Sequence, residues 1–364
     1  MSEWKNTKLE EVLTFGNGKV KPKNNGAIPI YGGNGILGFG NKSNYDGETI
    51  IIGRVGAYCG SVYYENKPIW VSDNALSAKP KGKNNAKFLY YFLKQIDLNQ
   101  WAGGSSHPLV TQTLLNSLEF SICINPNTQA SIASILSSLD DKINLLHRQN
   151  ATLEKMGETL FRQWFIEDAK EREKTKIGLV LETVLGGTPS TNNSKYWDGT
   201  IPWINSGEVN NFRILKPTKF ITELALVESN TKLLPIGTTV LAITGATLGQ
   251  ISLLEISTCA NQSVVGIIPN ETYPKEYVFL WIKYMIDEII LNETGGAQPH
   301  INKNDVNETE ILVPCNDDLE FIESKIKPLF KKISINSFQI NTLVELRDSL
   351  LPRLMSGEIT VNQG

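Results

Sequence analysis

The stretch Gly33-Asn34-Gly35-Ile36-Leu37-Gly38 has the G-x-G-x-x-G spacing that cradles a dinucleotide pyrophosphate. That chemistry needs a helix to begin inside the motif, so that its N–H groups face the phosphates. Here the glycines run on into Phe39-Gly40-Asn41 and no helical pattern follows, which excludes the site. Gly35 to Ser43 approaches a phosphate-binding P-loop, but Asn41 separates Gly40 from Lys42 and the match fails. Asn125-Pro126-Asn127 shares its start with the N-P-P-[YF] of amino-methyltransferases. It lacks the second Pro and the aromatic that stacks on a flipped base. His107 and His300 stand in loops with no nucleophile or acid partner beside them. Of the 4 Cys (Cys59, Cys123, Cys259, Cys315) none stands in a C-x-x-C pair, and with 3 His there is no zinc-ligand spacing. Cys123 and Cys315 hold matching places before two long helices and read as small apolar fillers. No catalytic constellation emerges, and no metal site.

What remains is binding chemistry. Lys19, Lys21 and Lys23 form one basic cluster, and Lys79, Lys81, Lys83 and Lys87 a second; Lys195, Arg213, Lys216 and Lys219 are a sparser counterpart in the second half. Such clusters suit phosphate contacts, although a solvated surface explains each one equally well by itself. The amides and hydroxyls of Asn34, Ser105, Ser106, Asn205, Ser206, Thr244, Thr247 and Gln298 lie at glycine-marked loop tips, where they suit base edges. Arg54, Tyr58, His107, His300 and Lys303 share those loops. The formal net charge of −3 argues against a protein coated in positive charge, but local basic loops act on a near-neutral background.

The elements that position these residues occur twice. Ile132, Leu139, Leu146, Leu153 and Leu160 recur every seven residues, interleaved with Leu136, Ile143, Asn150, Gly157 and Trp164. This narrow seam predicts a helix whose partner is another helix. Ile322, Leu329, Asn336, Leu343 and Leu350, with Ile326, Ile333, Ile340, Arg347 and Leu354, repeat it ungapped at an offset of 190 residues. The alternative is two amphipathic helices, each packed on its own domain. Ahead of each helix runs a mixed α/β segment: Ile201-Pro202-Trp203-Ile204 echoes Ile28 to Tyr31, and Gly245 to Gly249 echoes Gly56 to Gly60. Gly295 to Ile301 echoes Gly103 to Leu109. The strands expected in the first copy are 28–31, 49–52, 61–64, 70–78 and 119–124, with a helix at 86–95, a short helix at 111–117 and a short amphipathic stretch at 4–13. Ala169 to Lys176 is highly charged and reads as a linker or frayed helix end. The copies share glycines and strands and differ at the loop tips, as a reader of an asymmetric two-part target requires; plain duplication without division of labour is the alternative. The polar residues in the seams discriminate between pairings. A parallel pairing strands Asn150 and Asn336 opposite aliphatic residues, whereas an antiparallel pairing in which residue i faces residue 486 − i puts them together. In that register Leu139 opposite Arg347 and Gly157 opposite Leu329 are the poor matches, with Arg347 free to snorkel. No apolar h-region and no run long enough to cross a bilayer is seen, so a reduced, cytoplasmic protein is expected.

Leu136-Ser-Ser-Leu-Asp-Asp-Lys-Ile143, Arg148 to Met156, Leu160-Phe-Arg-Gln-Trp-Phe165 and Arg347 to Ile359 resemble the specificity (S) subunit of Type I restriction–modification enzymes. Gly186-Gly-Thr-Pro-Ser190, with Tyr196-Trp-Asp-Gly199 and Ile201-Pro-Trp203, resembles the start of that family's target recognition domain; residues 1–125 lack these pieces. The resemblance implies an α+β fold with pseudo-twofold repeat. Two similar mixed α/β target recognition domains, 1–125 and 171–315, are separated by two long antiparallel coiled-coil helices, at 126–170 and within 316–364. It implies a non-catalytic DNA-binding chain that reads a split sequence. Its partners would be double-stranded DNA, two methyltransferase (M) subunits that use S-adenosylmethionine to methylate adenine, and restriction (R) subunits that use ATP and Mg. A methyltransferase with drifted cofactor motifs, or a scaffold that binds no DNA, are readings from other classes. The first requires S-adenosylmethionine binding by the isolated chain, the second the lack of salt-sensitive DNA binding.

A helix of about 40 residues is about 60 Å long, against roughly 34 Å for one turn of DNA. Inserting one heptad between Gln149 and Thr152 is therefore expected to lengthen the unread spacer of the target and leave both half-sites intact. Sequencing the methylated motif checks it.

Overall fold

The computed structural model describes residues 3–22, 25–103, 108–168, 172–291 and 300–361. Thr49–Gly53 is buried at every position, so its β-branched run is a central strand covered on both faces. It pairs antiparallel with Val62–Glu65 on one side and Ala75–Pro80 on the other, and Leu13–Asn17 completes a four-stranded sheet. A second, three-stranded sheet holds Gly35–Gly40, Ile28–Gly32 and Trp70–Val71. The later copy repeats this scheme. Thr239–Ala242 lies between Val264–Ile268 and Ile251–Leu254 in a five-stranded sheet, and Trp197–Ile204 lies between Lys219–Ile221 and Thr258–Ala260 in a four-stranded one.

The chain sorts into two compact units, residues 1–144 with 342–364 and residues 145–341. The core of the first is built from Leu13, Ile50, Ile52, Phe88, Leu89 and Phe92, and it takes in Ile132 and Leu136 of the central helix and Leu354 and Met355 of the C-terminal one. The Trp4 indole donates to the Met355 carbonyl at 2.8 Å. Sequence order alone does not reveal that the chain's two ends share a core. The second unit's core gathers Val265, Ile267, Tyr277, Trp281 and Ile282 with Phe161, Phe165, Ile322, Ile326 and Phe330 from the long helices.

Four expectations are corrected. The stretch 4–13 is a strand, Trp4–Lys8, then one helical turn, Leu9–Val12, then the strand Leu13–Asn17. The ladder of Trp4–Lys8 with Glu119–Cys123 decides this, and a local pattern does not contain it. The run 70–78 is two strands parted by a tight turn in which Ala75 N–H donates to the Ser72 carbonyl at 3.0 Å. The charged stretch before residue 177 is no loose linker where it is described. Lys174–Lys176 pairs with Glu310–Leu312, and Arg172 forms a 2.9 Å ion pair with Asp318, their side chains 7% and 1% exposed. Cys315 is exposed, unlike the buried Cys59, Cys123 and Cys259, so it fills no core.

Helices span Pro126–Arg162 and Lys327–Met355. The first continues into a π-turn, Gln163–Glu167, and the second is preceded by another, Ile322–Ile326. Inside the second unit Leu146, Asn150, Gly157, Ile326, Ile333 and Asn336 are buried, while Leu153 and Leu160 are half-buried. Phe161 and Phe165 take the core positions instead, because a straight helix drifts from a seven-residue repeat and Tyr277 and Trp281 offer them aromatic partners. The Asn336 amide donates to Asn150 Oδ1 at 2.9 Å, and the Asn150 amide to Ser337 Oγ at 3.2 Å. Ser337 in turn donates to the Ile333 carbonyl at 2.8 Å. The two poor matches of the register resolve differently from expectation. A Cβ on Gly157 would stand 3.6 Å from the Phe330 ring and 4.0 Å from Leu329, ordinary contact distances, so the glycine lies against both side chains and no gap is left opposite Leu329. Inside the first unit Arg347 does not snorkel from opposite Leu139: it donates to Asp140 Oδ1 at 2.7 Å, and Tyr91 donates to the other oxygen at 2.6 Å.

Replacing Asn150 by Leu strands the Asn336 amide and should lower stability by about 1–3 kcal/mol. The double change Asn150→Leu with Asn336→Leu should cost less than the single one. Urea unfolding of the three proteins checks the order.

Candidate nucleic-acid interface

In the first unit a set of tight turns converges at one end of the strands. Gly18 and Lys19 donate to the carbonyls of Ala75 (3.2 Å) and Val71 (2.9 Å), which sets Lys19 beside Ser72. Arg54 N–H donates to the Asn74 carbonyl at 3.0 Å, and its own carbonyl accepts from Val110 at 2.9 Å. A Cβ on Gly33 would lie 3.5 Å from the Asn74 carbonyl and 3.7 Å from that of Val55, so the turn carrying Asn34 abuts both. Lys19, Asn34, Arg54 and Tyr58 thus share one face. Tyr58 is half exposed, and Arg54 Nε is buried with no partner among the described residues. Tyr31, whose carbonyl accepts from Ser72 at 2.8 Å, braces the turn from below. Burial and then the Glu65 carboxylate push its phenol up to about 12, so it stays a neutral donor.

The second unit has the same face. Gly186 and Gly187 donate to the carbonyls of Val264 (3.0 Å) and Ala260 (2.8 Å), and Trp203 Nε1 donates to the Gly187 carbonyl at 3.1 Å. Asn261 N–H donates to Ile204 at 3.0 Å, Ile243 to Ser263 at 3.0 Å, and Ile301 to Ile243 at 3.1 Å. A bridge between Thr244 and His300 places both beside the turn of Thr247. Gly56 and Gly245 open equivalent turns at φ 76° and 64°, and Gly60 and Gly249 close them at 84° and 81°, in the left-handed region that glycine tolerates best. Asn205 and Ser206 lie on this side too. The Asn205 amide is engaged within the fold: its oxygen accepts from Gly207 N–H at 2.7 Å and its nitrogen donates to Glu208 at 3.2 Å. Arg213, a cationic candidate by sequence, is instead buried against the rings of Phe212, Phe279 and Phe330, 3.9 Å from Glu255 and beside Asn150 and Ser337 of the long helices. Burial lowers its guanidinium to about 10 against the pull of Glu154 and Glu255, so it remains charged and clamps the sheet edge at Arg213–Ile214 to the C-terminal helix.

Several sequence candidates fall elsewhere. Lys81 is not on the face: its ammonium donates to the Glu10 carbonyl, at the far end of the Ala75–Pro80 strand, about 20 Å from the Asn74 turn at 3.3 Å per residue. Lys21 reaches the Leu37 carbonyl on the outside of the Gly35–Gly40 hairpin. Lys195 belongs to the 194–196 turn, whose carbonyl accepts from Thr222. Lys303 opens a short helix beyond Ile301. Lys23, Ser105, Ser106, His107 and Gln298 lie outside the described residues. Sequence reasoning missed Asp73, Asn74, Thr188 and Gln262, all of which stand on these faces. The signal was the Asp-Asn pair inside a run read as one strand. Among the described residues no three His, Cys, Asp or Glu group as metal ligands. Both faces offer amides and hydroxyls on braced turns, and the first adds Lys19 and Arg54, which is chemistry for recognition. Among the described residues no helix is long and apolar enough to cross a membrane.

Residues 1–155 and 169–346 match the family of the Type I restriction modification DNA specificity domain. The chain is 25% identical over 329 residues to the Type I restriction enzyme MjaIX specificity subunit of Methanocaldococcus jannaschii, covering 84% of this chain and 76% of that one. It is 24% identical to the HindI specificity subunit of Haemophilus influenzae, covering 69% and 71%. The crystal structure of a Type I restriction–modification S subunit from M. genitalium has the same fold, with a TM-score of 0.67 at 19% identity over 99% of this chain and 97% of that one.

Gly186→Ala would put a Cβ 2.2 Å from the Asn261 carbonyl and 2.5 Å from that of Ala260. The expected outcome is a loss of about 1–3 kcal/mol as the 261–263 turn is pushed out, read by thermal unfolding.

Proposed function

The chain belongs to the Type I restriction modification DNA specificity domain family, and on that premise we propose that it is the non-catalytic subunit that selects the DNA target of a Type I restriction–modification complex. The observation that carries this reading is the pair of equivalent turn faces, one in each unit, with the same hydrogen-bonded frame and different side chains at the tips. Equivalent frames with different tips suit a target in two unlike halves, each read by one unit. Lys19 and Arg54 on the first face are suited to phosphate or base contact, and Thr244, Thr247 and His300 on the second to base edges and sugar–phosphate oxygens.

In this reading methyl transfer and cleavage reside in partner chains. Two methyltransferase subunits would bring S-adenosylmethionine, and restriction subunits ATP and Mg. The complex would act in the cytoplasm, where its DNA is. This chain's own residues bind, orient and discriminate; none is assigned to a bond-making step.

The test is to express the chain with its methyltransferase subunits and sequence the methylated sites. The expected motif has two specified halves around an unspecified spacer. Replacing residues 176–313 by the corresponding domain of a relative should change one half only. Binding to duplex DNA should weaken steeply with added salt, as phosphate contacts require. The purified chain alone should neither methylate nor cut. Methyl transfer by the isolated chain, or a replacement that alters both half-sites, would refute the assignment.

A further inference from the structure

Two four-residue turns occupy corresponding places in the two units. Ser72 to Ala75 is closed by Ala75 N–H donating to the Ser72 carbonyl at 3.0 Å, and Asn261 to Val264 by Val264 N–H donating to Asn261 at 3.1 Å. Each is braced twice more. Ser72 N–H donates to Tyr31 at 2.8 Å and Asn261 N–H to Ile204 at 3.0 Å; the third carbonyl of each turn, Asn74 or Ser263, accepts from Arg54 or Ile243 at 3.0 Å. Each also lies against a glycine with no room for a Cβ, which would stand 1.7 Å from the Ser72 carbonyl at Gly18 and 2.2 Å from the Asn261 carbonyl at Gly186. Three hydrogen bonds and a glycine contact thus fix the backbone of each turn, and its second position is exposed beside the other turns of its unit. That position is Asp73 in the first unit and Gln262 in the second.

The two side chains have opposite chemistry. The carboxylate of Asp73 only accepts hydrogen bonds. Gln262 has its oxygen engaged by the Thr188 hydroxyl, above a cleft of about 650 Å³ lined also by Gly187, Ser229 and Asn230. With that oxygen engaged, the polar group Gln262 has left to offer is its amide nitrogen, a donor.

We propose that Asp73 and Gln262 are specificity-determining residues of the two half-sites, Asp73 selecting a base amino group, cytosine N4, and Gln262 selecting a base acceptor edge such as guanine O6 and N7, with Thr188 as the residue that orients Gln262. This rests on the DNA-recognition reading above. Donor and acceptor patterns in the major groove make these two selections distinct.

The experiment selects random-sequence duplexes on the full chain assembled with its methyltransferase subunits, for the wild type and for Asp73→Asn, Gln262→Ala, Gln262→Glu and Thr188→Val. Asp73→Asn should lower the preference at one base position of one half-site about tenfold or more, and Gln262→Ala should do the same in the other. Thr188→Val should broaden the position that Gln262→Ala alters. Gln262→Glu, which exchanges donor for acceptor, should shift that position toward a base bearing an amino group. The untouched half-site reports in each case that the variant is folded. If Asp73→Asn and Gln262→Ala keep the wild-type motif, or weaken all sequences uniformly, the inference is wrong while the DNA reading stands. If the wild-type assembly selects no motif, the DNA reading itself fails.

Discussion

The amide pair of Asn150 and Asn336 is the constraint on which the register of the helix pairing depends. Their neighbours in the seams, Leu146 and Leu153, Ile333 and Ile340, are aliphatic, and aliphatic side chains pack nearly as well one turn up or down. A buried amide does not: displaced from its partner it loses a hydrogen bond and keeps its desolvation cost. At 2.9 Å the Asn336 amide meets the Asn150 oxygen, and Ser337 receives the Asn150 amide in turn. The sites flanking this pair follow from the same register. Gly157 lies against the Phe330 ring, and Phe330 in turn packs edge-on against Phe279 and under the Arg213 guanidinium. The helix pair thereby becomes part of the second unit's core.

The first unit docks its helices by other means. Gln129, fully buried, accepts from Asn85 N–H at 2.7 Å and donates to Asn84 and to the Cys123 carbonyl. Asp140 ties Tyr91 of the helix Ala86–Gln95 to Arg347 of the C-terminal helix. The second unit also ties its helices with charge, Lys283 of Lys275–Leu291 meeting Glu154 and Glu158 of the central helix at 3.0 and 2.7 Å, and adds the aromatic rings around Phe330. The folds are repeats, yet the residues that seat each on its helices differ.

The turn faces show the complementary behaviour. Their frame is the same in both units, because close backbone approach requires glycine at Gly18 and Gly186 and the left-handed turns favour it at Gly56, Gly60, Gly245 and Gly249. The residues at the tips differ between the units. A rigid frame also limits what a tip residue loses on binding, since its backbone is ordered beforehand.

The chain's periodicity was enough to determine its plan: two long helices with matching seams, two mixed α/β copies ahead of them, and an antiparallel pairing that brings Asn150 to Asn336. These are repeating or paired features, and each is written locally in residue type and spacing. The tertiary structure decided what depends on partners distant along the chain. Trp4–Lys8 is a strand because Glu119–Cys123 lies beside it, and Phe161 displaces Leu160 from the core because Tyr277 and Trp281 wait there. Arg347 is satisfied by Asp140 and Tyr91, a triad drawn from three helices. The same reason separates Lys81, a candidate by composition, from the turns of the first unit, and exposes Asp73 on those turns and Gln262 on the corresponding turn of the second unit. Charge and polarity mark a residue as able to bind, but only the folding of distant strands against one another determines which such residues end up on one surface.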